Sequence, residues 1–129
     1  MIVCISHEGD VDGLCSAALI KSLKDAKVIL VDYGDFLKSL ETLSEVKELY
    51  LCDLGLNKAN FKEFTKQVIR LSSKIFYFDH HPQTLKQRRE LETLGVKVYH
   101  SNKECSSMLV YSCFKAVSYT HLRAHETGR

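Results

Sequence analysis

No apolar run in the sequence approaches the ~20 residues that a membrane-spanning helix needs. The first residues also lack the basic region and small-residue cleavage site of a signal peptide, so the expected compartment is the cytoplasm, with no membrane partner. Cysteines are scattered: Cys4, Cys15, Cys52, Cys105 and Cys113 show no Cys-x-x-Cys spacing. That argues against a thiolate metal site or disulfides and leaves the five as small core residues in a reducing compartment. An excess of one charge is missing too. Lys and Arg number 18 against 16 Asp and Glu, and the resulting +2 decides neither for nor against a nucleic-acid partner.

What the sequence does have is a repeating strand-then-helix grammar, over a length of 129 residues that suits one domain. Ile2 to Ser6 is a short apolar run, His7 to Asp12 a polar loop, and Gly13 to Lys24 a helix whose Leu14, Ala17, Ala18 and Lys21 mark its two faces. Val28 to Val31 is a second strand, with Phe36, Leu37, Leu40 and Leu43 at helical spacing behind it. Leu49 to Cys52 is the third, and Asn57 is placed to cap a helix whose Phe61, Phe64, Val68 and Leu71 form one stripe. Ile75 to Phe78 is the fourth. One helix is expected from Pro82, in its first turn, to Gly95 at its C′ position, with Leu85, Leu91 and Leu94 inward. Val96 to Tyr99 is the fifth strand, and Ser106 to Lys115 a last helix patterned by Met108, Leu109, Tyr111 and Phe114. Continuous rather than alternating apolar strands predict a doubly wound α/β fold, a mostly five-stranded parallel sheet with helices on both faces.

Chemistry gathers at the strand ends. KIFYFDHHP, Lys74 to Pro82, reads as a buried strand that stops abruptly in Asp79, His80 and His81. Packing gives little reason for such a run, and open α/β sheets bind ligands at the carboxyl ends of their strands. His7, Asp10 and Asp12 follow the first strand and Asp53 ends the third, so all fall on the same edge. Imidazoles with carboxylates suit a hard or borderline divalent cation, and the carboxylates outnumber what one ion requires. Two ions sharing a carboxylate, typically roughly 3.5–4 Å apart, would use them, which suggests metal-assisted phosphoester hydrolysis.

Asp12 is expected to end the first loop and cap its helix, while Gly13, which taken alone reads as an ordinary tight turn, would let backbone N–H groups approach an anion. Asp32 and Asp35, around Tyr33 and Gly34, read as a solvated turn, His100 as a surface residue, and Arg88 and Arg89 as the solvated face of a helix. Val117 to Thr127, VSYTHLRAHET, follows neither period. It matches the one-frame translation of a common transposase-based sequencing adapter, so residues 117–129 are expected to be an artefactual tail in which His121 and His125 have no role. The domain proper is expected to be residues 1–116.

SHEGDVDGLCSAAL, LCDLGLN, FDHHP and ECSSMLVY, in that order, resemble the first three signature motifs and the following serine-containing helix of the DHH phosphoesterase superfamily. The similarity covers Met1 to about Lys115. Asp-x-Asp-Gly at Asp10 to Gly13 is similar to the RecJ-type nuclease and oligonucleotidase branch; the pyrophosphatase branch usually has serine where Gly13 stands.

The resemblance implies that His7 and Asp10 hold one manganese, Asp12 and His80 the other, and that Asp53 bridges them, with Mg2+ or Co2+ as alternative ions. It implies that His81 faces the scissile phosphate and that Asp79 orients an imidazole. The implied substrate is a short oligonucleotide or single-stranded nucleic acid. Pyrophosphate or a cyclic dinucleotide is the alternative within the superfamily, and a nucleotide-sensing domain without turnover is the alternative outside enzymes. Two departures bear on activity. The family's fourth motif, with a further metal-binding aspartate, and its second, substrate-closing domain have no counterpart here, so this chain is expected to be a truncated catalytic domain with weak activity or none.

Overall fold

The structure is a computed structural model and describes residues 1–115. Strands β1 (Ile2–His7), β2 (Lys27–Val31), β3 (Glu48–Cys52), β4 (Lys74–Asp79) and β5 (Lys97–His100) form one all-parallel sheet in the order β2-β1-β3-β4-β5. β2 lies on one side of β1 and every later strand on the other, so the winding reverses between β1 and β3. Right-handed crossovers then place helices on both faces, as the sequence predicts. Helix α1 (Val11–Lys24) and the helix at 106–115, here α6, cover one face. The other carries α2 (Phe36–Glu41), α3 (Lys58–Leu71) and the pair α4 (Pro82–Lys86) and α5 (Arg88–Thr93).

Each strand feeds two cores because successive side chains alternate between faces. Val3, Ile5, Leu49, Leu51, Ile75 and Tyr77 pack with Phe36, Leu40, Phe64, Val68 and Leu91. Cys4, Tyr50, Cys52 and Phe78 pack with Ala17, Ile20 and Val110 on the opposite face. The caps at Asn57, whose side chain accepts the Asn60 N–H, and at Gly95 match expectation. Gly95 has φ +89, and the Val96 and Gly95 N–H groups close on Leu91 O and Glu92 O, the paired bonds of a Schellman ending.

Several helical details differ from the sequence reading. The buried row of α1 is Gly13, Ser16, Ala17 and Ile20, while Leu14 and Ala18 are exposed; small residues face inward because this helix lies close on β1. On α6, Ser106 and Val110 are buried and Met108 and Tyr111 exposed. The stretch after Pro82 is two helices rather than one. Gln87 N–H reaches back to Thr84 O, a three-residue step that tightens the chain there, and Thr84 rather than Leu85 faces inward. Of the cysteines, Cys4 and Cys52 are buried and Cys113 half-buried, but Cys15 and Cys105 are exposed; all five are free. Among the described residues no helix is long and apolar enough to cross a membrane. The expected boundary at residue 116, the tail, His121 and His125 lie outside the described residues.

Candidate metal centre

Parallel register decides which side chains meet. Ser6 is level with Cys52, and Cys52 with Phe78, so the next residues along the three strands, His7, Asp53 and Asp79, emerge side by side at the carboxyl edge. This is where the winding reverses, the position at which open α/β sheets leave a crevice.

Asp53 is the hub. It is fully buried and holds left-handed backbone geometry, φ 58, while its N–H still bonds Phe78 O at 2.9 Å. That conformation is uncommon for a residue with a side chain and is best tolerated by Asp and Asn. Its Oδ1 lies 3.1 Å from His80 Nε2, and its Oδ2 lies 3.7 Å from His7 Nδ1. His7 Nδ1 is in turn 3.5 Å from Asp10 Oδ2, and His80 Nε2 is 3.8 Å from Asp12 Oδ2. Each oxygen of Asp53 therefore faces a different His–Asp pair.

Most of these separations are too long for direct hydrogen bonds. His7 Nδ1 and Asp53 Oδ2 are buried without any hydrogen-bond partner, a costly arrangement for groups that have only one another. One ligand atom from each of His7, Asp10 and Asp53 falls within 4.8 Å of the others, as does one from each of Asp53, Asp79, His80 and His81. Orphaned donors of mixed imidazole and carboxylate type, converging at such distances, fit a divalent cation.

The electrostatics agree. Burial, reinforced by Asp10 and Asp12 and opposed by His80, pushes the Asp53 carboxyl up to about 6. For Asp10, burial disfavours the charge, but the Gly13 N–H, Asp53 and His7 outweigh it and leave the group below its ordinary value.

One sequence expectation needs correction. Asp10, not Asp12, caps α1: its Oδ1 accepts the Gly13 N–H at 2.9 Å. Asp12 sits in the first helical turn and reaches across to α6, where its two oxygens accept the N–H groups of Ser106 at 2.9 Å and Ser107 at 2.8 Å. Burial opposes its charge, and these amides more than offset that, so its carboxyl lies below the usual range. Gly13 has a packing reason to be glycine. A Cβ on Gly13 would stand 1.9 Å from His7 O, so glycine is there because helix and strand backbones touch.

Asp12→Ala is accordingly expected to destabilise the metal-free protein by about 2 kcal/mol, since it strips the cap from two N–H groups, one on the fully buried Ser106. Urea unfolding measures this, and an unchanged midpoint would remove the tie between α1 and α6.

Asp79 and His81 form a second constellation. Asp79 is fully buried; its Oδ1 lies 2.6 Å from His81 Nδ1, and its Oδ2 accepts the Thr84 hydroxyl at 2.5 Å. The Asp79 hydrogen bond, working against burial, raises the His81 pKa. The orientation of an imidazole by Asp79 is thus seen at His81.

Sequence reasoning missed the surrounding supports. Tyr33 stacks on His7, with ring centroids 4.0 Å apart, and its hydroxyl lies 3.3 Å from His81 Nε2. Burial first, then Asp53 and Asp10, raise its phenol to about 12, so it stays protonated. His100, read as a surface residue, is half-buried, and its Nε2 donates to His81 O at 2.8 Å. Thr84 also accepts the Leu56 N–H. Tyr33 and His100 each lie at the carboxyl end of a strand, which was the available signal; Thr84 carried none, and ECSSMLVY marked the helix of Ser106 without its tie to Asp12. Asp32 and Asp35 form the exposed turn expected of them, and Arg88 pairs with Glu92 on its helix.

Compared with family models, curated proteins and solved structures, the chain finds no match.

Proposed function

We propose that this chain carries the metal centre of a two-metal phosphodiesterase, acting on short oligonucleotides or single-stranded nucleic acid. The observation that carries this reading is Asp53, a buried carboxylate whose two oxygens face His7 with Asp10 and His80 with Asp12. The resemblance of the motifs to the DHH phosphoesterases points the same way. In this reading His7, Asp10, Asp12, Asp53 and His80 would hold two divalent ions, and the resemblance to the DHH phosphoesterases makes manganese the ion to test first. Bound there, such ions would supply Lewis acidity and lower the pKa of a bound water.

The chain's own groups do the rest. His81, held by Asp79, presents an imidazole whose raised pKa favours the protonated form, suited to balancing phosphate charge or giving a proton to the leaving oxygen. His100 and Thr84 fix the backbone and carboxylate behind it.

Mn2+ is expected to raise the melting temperature of the 129-residue chain saturably, by an amount that follows its affinity; a ligand at 100 times its Kd contributes about 2.7 kcal/mol. Asp53→Asn should abolish most of that gain, because a neutral amide cannot serve as the shared anion. Any Mn2+-dependent cleavage of a dinucleotide, followed with protein in excess, should vanish with it. A variant that kept both the thermal shift and the cleavage would remove Asp53 from the bridging role.

A further inference from the structure

Beside the metal centre, a cavity of about 370 Å³ opens between the turn after β2 and the start of α3. Its volume lies within the range of small-ligand sites, roughly 300–1,000 Å³. The polar side chains around it include the neutral amides Asn57, Asn60 and Gln83, and among the described residues no lysine or arginine lines it. Phosphate or pyrophosphate would call for cations or several converging N–H groups. Carboxamides instead present a donor and an acceptor on one planar group, the complement of a nucleobase edge. Among the described residues only the Asn57 oxygen is engaged, by the Asn60 N–H at 2.9 Å.

Tyr33 supplies an aromatic wall, and Gly34 and Gly55 leave the remaining walls without side chains. His81 belongs to the cavity wall and also to the metal centre, through its 2.6 Å contact with Asp79 and the stacking of its ring on His80. A group in the cavity is therefore one residue away from the position assigned to the scissile phosphate.

We propose that this cavity receives the nucleobase of the nucleotide whose phosphate reaches the metal centre. The inference rests on the phosphodiesterase reading and narrows it: the substrate carries a base, which inorganic pyrophosphate does not. Recognition combines stacking against Tyr33 with hydrogen bonding by Asn60 and Gln83.

The test separates base from phosphate. Metal-free 15N-labelled protein is titrated with adenosine and cytidine, then with ribose 5-phosphate and inorganic phosphate, and the side-chain amide resonances of Asn57, Asn60 and Gln83 are followed. At least one nucleoside should shift them saturably in the millimolar range, and the two base-free probes should not. The double variant Asn60→Ala, Gln83→Ala, which leaves the Asn57 cap intact, should weaken nucleoside binding about tenfold. No nucleoside shift, equal shifts with ribose 5-phosphate, or undiminished affinity in a folded double variant would each overturn the proposal. The mapping on unaltered protein decides the matter even if the variant fails to fold. Because neither metal nor turnover enters, loss of the metal-centre reading would show separately, as absent Mn2+-dependent stabilisation while nucleosides still bind.

Discussion

Asp53→Asn is expected to make the metal-free protein more stable at pH 7, even as it removes the response to Mn2+. The carboxylate is fully buried, its Oδ2 has no partner, and Asp10 and Asp12 stand near it. Without an ion this is buried like charge, and replacing a strained carboxylate by an isosteric amide relieves it. Asn suits the left-handed backbone at φ 58, its oxygen retains the contact with His80, and its NH2 is a donor that Asp10 can accept.

The sign can be checked against pH. With the folded carboxyl at about 6 and the unfolded group near its ordinary 3.8, both states are protonated below the lower value. Between the two values only the folded state holds the proton, so wild-type stability from this group falls as pH rises through the window, then stays flat above it. The difference between the two values corresponds to about 3 kcal/mol at most. The variant should match wild type near pH 4, pull ahead through pH 5 and 6, and melt roughly 5 °C or more higher at pH 7. With saturating Mn2+ the order should reverse. Denaturant titrations across pH, with chelator or with Mn2+, read both halves; a variant less stable than wild type at pH 7 under chelator would mean that Asp53 is not held against repulsion.

The architecture was legible because its signals are local and repeated. Continuous apolar strands such as Leu49 to Cys52, separated by helical periods, permit little besides a covered parallel sheet, and placing polar residues at strand ends then follows from topology. His7, Asp10, Asp53, His80 and His81 were found in this way. The misses have a common cause. Asp12 caps a helix 94 positions away, and Thr84 reaches back to Asp79, relations that depend on how helices seat on the sheet rather than on spacing along the chain. Hydrophobic period also misplaced the inward rows of α1 and α6. Where a helix lies close to a strand, size overrides hydrophobicity: Gly13, Ser16 and Ser106 face inward while Leu14, Met108 and Tyr111 face out.

Gly13→Ala should show how much depends on that close approach. In an exposed helix interior the change would stabilise by about 1 kcal/mol, since alanine is the better helix former. Here the added Cβ would lie 1.9 Å from His7 O, 2.8 Å from His7 C and 3.2 Å from its Cα, all backbone atoms that no rotamer change can move. The start of α1 must shift away from the end of β1. That shift disturbs the bond from Ser6 Oγ to Gly13 O at 2.7 Å, the Asp10 cap and the Asp12 carboxylate that holds Ser106 and Ser107. A cost of about 3–5 kcal/mol is expected, in the range of severe core lesions and a large share of a typical domain's stability. Gly34→Ala serves as the comparison, because its Cβ would meet only Asp32 Oδ1 at an ordinary 3.4 Å, and it should stay within about 0.5 kcal/mol of wild type. Urea unfolding of the two variants measures the difference. Any Gly13→Ala protein that remains folded should also lose most of its Mn2+-dependent stabilisation, since His7, Asp10 and Asp12 no longer face Asp53 and His80. A Gly13→Ala protein as stable as Gly34→Ala, and equally responsive to Mn2+, would show that the contact between α1 and β1 does not hold the metal centre together.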